Sequence, residues 1–507
     1  MWWFLRLAVT ILTSTQVALL FAATLEITVA DKVGKQLPCR IHLTDAAGTA
    51  QLAEGLPFWK DHFVCPGFVA LQLETGKYHF EIERGPEYLP AVGSVELPDG
   101  EQKKLTISLH RIANLAKRGW WSGELHVHRA IDEVPLHLRA EDLHVAPVIT
   151  WWNGRDLWRD RPLPKTTLMK VDADRYYDVM AGEDEREGGA LMYFGLKKPL
   201  PLPGGKSAFA EHPSPMKFVE LAGRHKDVSI DIEKPFWWDT PIWLASGQTN
   251  SIGLANNHMC RSSMFETEAW GKPRDEQRLP PPRGNGYWTQ ELYYHVLECG
   301  LRVPPSAGSA SGVLPNPVGY NRVYVYLGSD FSYHAWWQGL RAGRSFVTNG
   351  PLLFCQANGQ RPGHVFQAER SLEINLNIEL ISNDHVPALE IIKNGRTVQT
   401  IPIDGSDKSQ RTAKLTFQES GWFLVRAVAE NRRTFRFAST APYYVEIGNT
   451  KSRISRRSVQ FFLDWIDERA ARVPQKLKDP ARLSEVLKYH GDAKRFWRQR
   501  MSQANAE

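Results

Sequence analysis

Two histidines one residue apart close an apolar run in Gly119-Trp120-Trp121-Ser122-Gly123-Glu124-Leu125-His126-Val127-His128-Arg129. On a strand, residues two apart point to the same side, so His126 and His128 can aim both imidazoles at one point. A helix separates i and i+2 and cannot do this. The pattern therefore asks for a strand whose end faces a concave site, and it suits a divalent metal. The bland alternative is a pair of half-buried strand histidines.

The residues after His128 agree with a strand end. Asp132-Glu133-Val134-Pro135 suits a helix start, and Leu136, Ala140 and Leu143 continue at helical spacing. Val145 to Trp152 is an apolar run rich in β-formers. Strand, helix, strand predicts a parallel α/β sheet or barrel, with chemistry at the carboxyl ends of its strands.

A length of 507 residues leaves room for two to four domains, and 42% apolar residues are enough to fill their cores. Met1 to Ala23 reads as a secretory signal with one basic residue, Arg6, an apolar stretch and Ala22-Ala23. Thr13-Ser14-Thr15-Gln16 interrupts it, which argues against a stable membrane span, although a retained N-terminal anchor stays open. The chain is thus expected to be exported, periplasmic or secreted. Five cysteines leave at least one unpaired; Cys39 and Cys65 could bridge the first domain, but sequence does not fix the pairing. The formal charge of +6 is mild, and no Lys/Arg block argues for nucleic acid.

Residues 24–114 alternate apolar and polar at Leu25, Ile27, Val29 and again at Leu105, Ile107, Leu109, with a turn signal at Asp99-Gly100. This predicts a small β-sandwich of the carboxypeptidase-regulatory or immunoglobulin-like kind, either a spacer or a binding module. Leu372, Ile374, Leu376, Ile378 and Leu380, with the hairpin signal Asn394-Gly395, predict a second sandwich over 351–449. Residues 450–507 read as a helical tail, with Phe462, Trp465 and Ile466 on one face. Residues 265 to 290 read as a long loop over the strand ends.

The central stretch resembles a family. Trp-Ser-Gly-Glu-Leu-His-Val-His looks like the first motif of the PHP (polymerase and histidinol phosphatase) superfamily, most of all its CehA/McbA branch of exported metallohydrolases. Ala181-Gly182-Glu183 is similar to the segment whose glutamate bridges metals there. Leu297-Glu298-Cys299-Gly300-Leu301-Arg302-Val303-Pro304 with Gly308-Ser309, and Gly343-Arg344-Ser345-Phe346-Val347-Thr348-Asn349-Gly350-Pro351, resemble its later signatures. The resemblance implies an α/β fold, a distorted (β/α)7 PHP-like barrel over 115–350, flanked by the N-terminal and C-terminal β-sandwich domains. It also implies one to three metals activating a water.

Three positions depart from that pattern. Thr150-Trp151-Trp152 stands where the family has Thr-Asp-His, Lys234-Pro235 matches a His-Pro, and Gly308-Ser309-Ala310-Ser311-Gly312 lacks an Asp and a His. Indole offers no lone pair to a metal, and ammonium repels one. A trinuclear centre therefore cannot be assembled in the way the resemblance implies. One divalent metal, Zn or Mn, is left, held by His126, His128 and Glu183, with His258 as a fourth candidate. Glu185 and Glu187 compete with Glu183.

Lys234 could stabilise an oxyanion or simply pair with Asp231 or Glu233. Arg129 could bind an anionic substrate or sit in an ion pair. Asp239, beside Trp237, Trp238 and Trp243, could be a base or part of a packed core. The expected activity is hydrolysis of an ester, amide or phosphoester on a small molecule or oligosaccharide. The alternative is a non-catalytic relative binding a glycan or peptide in a Trp-lined cleft.

Overall fold

Leu25, Ile27 and Val29, alternating with polar neighbours, lie on the strand Ala22–Ala30 and are fully buried. The computed structural model describes residues 22–205, 210–405 and 408–507. The expected leader up to Phe21 lies outside the described residues. Ala22 and Ala23 pair with Glu74 and Leu73 at the start of the first sheet.

The first unit packs a three-stranded sheet against a five-stranded one around its own core of Leu25, Ile41, Phe63, Leu71, Phe80 and Ile82. Cys39 and Cys65 are registered neighbours on adjacent antiparallel strands, and both are free thiols.

The described residues form a mixed α/β structure, mostly strands in several sheets, with seven α-helices. At its centre lie β1 (Trp120–Gly123), β2 (Val145–Trp152), β3 (Tyr176–Arg186), β4 (Gly189–Phe194), β5 (Ser229–Ile232), β6 (Ser251–Ala255) and β7 (Pro305–Ala307). They pair in that order. The ring closes through Val127, which bridges in parallel to Val148 on one side and to Ser311 on the other.

Helices Val134–Ala140, Thr240–Ala245 and Gly284–Glu298 provide the crossovers between β1 and β2, β5 and β6, and β6 and β7. The last of these occupies part of the stretch expected to be loop up to 290. Two joints are antiparallel, β3 with β4 and β4 with β5, so the ring is not a uniform parallel barrel. The first follows from Glu187-Gly188: Arg186 pairs with Gly189, and Gly189 takes φ +117°, a left-handed turn that glycine supplies freely.

The sheet continues from β1 through Arg322–Tyr326, antiparallel to it, and Ser345–Thr348 into Phe437–Thr440 and the C-terminal unit. There Leu372–Ile381 lies between Leu352–Ala357 and Lys408–Phe417, and Asn394-Gly395 turns a hairpin with both residues at positive φ. Helices Arg456–Lys476 and Pro480–Ser502 end the chain, and Phe462, Trp465 and Trp497 bury fully against the central core. No helix among the described residues is long and apolar enough to cross a membrane.

The tryptophans of the central region are mainly packing. Trp120, Trp151, Trp237 and Trp243 are among the largest fully buried side chains, so they do not wall a cleft.

Candidate metal centre

Val127 fixes the direction of its neighbours. Its side chain enters a core with Val134, Leu138, Val148 and Val179. His126 and His128 therefore share the opposite side of the segment. Glu124 ties that segment to the last part of the ring, its carboxylate accepting from the Ser309 and Gly319 amides. Gly308 lets the backbones close up: a Cβ there would stand 2.4 Å from the His126 Cβ.

Glu183 arrives from β3, directly in register with Trp152 on β2. Its neighbour Gly182 lies under the Trp151 indole, where a Cβ would come within 1.9 Å of Cε2. The charge run is thus strand through Arg186, with only Glu187 in the turn, and Glu183 is 3% exposed.

The three side chains converge. His126 Nε2 lies 3.0 Å from His128 Nε2. Glu183 Oε2 lies 3.5 Å from the first and 3.2 Å from the second. Ligand bonds of about 2.0–2.2 Å place the donors of one tetrahedral ion roughly 3.3–3.6 Å apart. Glu183 Oε2 is buried and takes no hydrogen bond, an arrangement costly for a carboxylate unless a cation meets it. The donors present therefore fit one divalent metal.

Glu233 stands behind His126, its Oε1 3.4 Å from Nδ1. It also accepts from Lys234 Nζ, Asn257 Nδ2 at 2.7 Å and Trp237 Nε1 at 2.8 Å. A carboxylate on Nδ1 directs the other ring nitrogen toward a metal. Burial disfavours charge on both imidazoles; Glu183 and Glu233 outweigh it at His126 and raise its pKa, whereas His128 is lowered. Burial also opposes charge on Glu183, yet the two histidines hold its pKa below the usual carboxylate range.

Trp152 takes the place beside this trio. Its ring lies 5.0 Å from that of His128, and its Nε1 donates to Glu185 Oε2 at 3.2 Å. Burial, followed by Glu183, pushes the Glu185 carboxyl up to about 8.

The other expected site residues lie in different settings. Lys234 is buried, its charge met by Glu233 and its Nζ 4.5 Å from the Trp237 ring centre, so it is an ion-pair partner here. His258 falls outside the trio: it sits between Phe236 and Phe265, with Nδ1 unpartnered and its pKa lowered to about 3 by burial and then by Lys234. Asp239 is not a free base. Its Oδ1 accepts from Arg469 Nε at 2.7 Å, tying the Arg456–Lys476 helix to the ring. Arg129 faces the first unit, bonded to Glu133 at 2.8 Å and to the Phe58 carbonyl at 3.2 Å.

Glu233 is the residue that motif reading passes over as a site member. The alternation Ile230-Asp231-Ile232-Glu233 puts both acids on one strand face, which is the available signal.

No family model matches the chain, and no curated protein matches it. Among solved structures, the Bacillus anthracis TIE protein is similar at 19% identity and a TM-score of 0.15, over 22% of this chain and 19% of that one. A CARDB domain from Pyrococcus furiosus is similar at 13% identity and a TM-score of 0.14, over 19% of this chain and 94% of that one. At these TM-scores neither likeness bears on the fold or the site.

Proposed function

We propose that this protein is an exported metal-dependent hydrolase with a distorted barrel of the PHP type and a single Zn or Mn. The observation that carries the reading is the buried triangle of His126 Nε2, His128 Nε2 and Glu183 Oε2, with sides of 3.0, 3.2 and 3.5 Å. Three protein donors leave a fourth position for water, the arrangement of a catalytic rather than a closed structural site.

A bound metal would lower the pKa of that water for attack on an ester, amide or phosphoester. Glu233 orients His126 and neutralises Lys234. Glu185, half-buried, held by Trp152 and sensing the Glu183 charge, is a further carboxyl for moving a proton. The test is turnover of aryl ester, anilide and aryl phosphate substrates by Zn- and Mn-loaded protein, compared with His126→Ala. Metal-dependent turnover that the variant loses supports the hydrolase.

The indole of Trp152 against His128 favours a second reading, a metal-stabilised binding protein without turnover. Stoichiometric metal with no hydrolysis of any substrate class would select it.

A further inference from the structure

The first unit carries a second cluster of metal-ligand type that the proposed hydrolytic site does not use. His42 lies on the strand Cys39–Thr44, and His62 opens the strand His62–Cys65. Asp61 lies in the tight turn before it, after Lys60 at φ +55°. The three donors, one from each residue, all lie within 4.8 Å of one another.

The carboxylate stands between the rings. Asp61 Oδ1 is 2.8 Å from His62 Nδ1, and Asp61 Oδ2 is 3.3 Å from His42 Nδ1. Both imidazoles are buried, His62 at 1% exposure, whereas the Asp61 side chain is 47% exposed. An ion can therefore reach the cluster from solvent at one corner and be held by two buried nitrogens.

We propose that His42, Asp61 and His62 form a second divalent-metal site, for Zn or a similar borderline cation, with water completing its coordination. Two imidazoles and one carboxylate are the donor set such ions take. In the metal-free form each histidine donates Nδ1–H to Asp61, because a carboxylate only accepts; at His42 this agrees with Arg40 Nε donating to Nε2 at 3.1 Å. On binding, each proton moves through solvent from Nδ1 to Nε2 of its own ring, so no net proton is released. At His42 the new Nε2–H would face the Arg40 Nε–H that donates to it in the metal-free form, so Arg40 swings off His42 onto Glu83 and Glu141, which already hold its other two nitrogens, and Nε2–H donates to Glu83 Oε2, 3.5 Å away. The neighbouring guanidinium thus meets a carboxylate rather than the ion alone.

The site has a structural consequence. The Phe58–His62 turn docks on the ring: Trp59 Nε1 donates to the Leu314 carbonyl at 2.8 Å, and Arg129, next to His128, donates to the Phe58 carbonyl. An ion joining His62 and Asp61 to His42 pins this turn to the sheet beneath it and steadies the first unit against the ring.

The experiment uses full-length protein with Zn alone, and Co as a spectroscopic probe. In His126→Ala/His128→Ala protein, about one equivalent of Zn should survive desalting, and Co should give d–d absorption of a nitrogen–oxygen site. Adding Asp61→Asn, a substitution at a partly exposed turn, should abolish both. In otherwise unchanged protein, Asp61→Asn should lower bound Zn by one equivalent while leaving any metal-dependent hydrolysis in place. Failure of the double-histidine variant to retain Zn, with unchanged stoichiometry on Asp61→Asn in the native background, overturns the second site. The hydrolytic site is judged separately, by turnover and by His126→Ala.

Discussion

Glu233 holds His126 from behind, its Oε1 3.4 Å from Nδ1, while the far nitrogen of the same ring lies 3.0 Å from His128 Nε2. The ring is thus aimed before any metal arrives. Outer carboxylates of this kind contribute about 10–100-fold in metal affinity. Glu233→Gln should weaken Zn binding by that order, since it also leaves Lys234 unpaired near the ion. A competition titration against a chromophoric chelator measures it. Unchanged affinity would mean that His126 needs no support.

Gly182 stands where β3 passes beneath Trp151, and a Cβ there would overlap the indole at 1.9 Å. Gly182→Ala should destabilise the fold by about 1–3 kcal/mol, the usual cost of overpacking a filled core. Because Glu183 is the next residue, metal content should fall as well. Urea unfolding together with elemental analysis separates the two effects.

The first unit and the ring meet at a buried carboxylate. Asp142 accepts from Arg84 at 3.3 Å, from Arg175 at 2.5 Å and from Arg111. Burial opposes its charge, but Arg84 and Arg111, with His144 and Arg175, outweigh that and hold its pKa well below the usual value. As pH falls, the unfolded carboxyl, with a pKa of about 3.9, takes a proton before the folded one does. The ion cluster's stabilisation is therefore present above about pH 4 and lost as pH falls below it. Asp142→Asn should cost about 3–5 kcal/mol at pH 7, since it leaves buried arginines uncompensated. It should also flatten the fall in stability between pH 5 and pH 3, as read from urea midpoints.

Asp239 bonds to Arg469, which also holds Glu211 at 2.8 and 2.5 Å. Asp239→Asn should lower the melting temperature and loosen the C-terminal helices while leaving metal content unchanged. Loss of metal with an unaltered melting temperature would restore Asp239 to the site.

Much of this architecture is legible in the sequence because local patterns agree with the fold. The alternation at Leu25 to Val29 and Leu372 to Leu380 becomes half-buried strands, and Val145 to Trp152 becomes a strand with those bounds. The two-residue spacing of His126 and His128 carries its geometry, although the strand itself ends at Gly123: the isolated bridges of Val127 to Val148 and Ser311 keep the segment extended, so the two imidazoles still share a side. What stays hidden depends on partners distant in sequence. Nothing near Asp239 announces Arg469, 230 positions later. Nothing near His42 announces Asp61 and His62, which meet it only when two strands fold together. The joint of β3 with β4 escapes notice because Glu187-Gly188-Gly189 has the composition of a loop, and only the pairing of Arg186 with Gly189 makes Glu187-Gly188 the turn of a hairpin.

The most direct test is anomalous diffraction from crystals of the full-length protein soaked in Zn or Mn. A single metal centre requires a peak about 2.0–2.2 Å from His126 Nε2, His128 Nε2 and Glu183 Oε2 together, with water at the remaining position. Ordered side chains at all three residues with no anomalous density between them would contradict it.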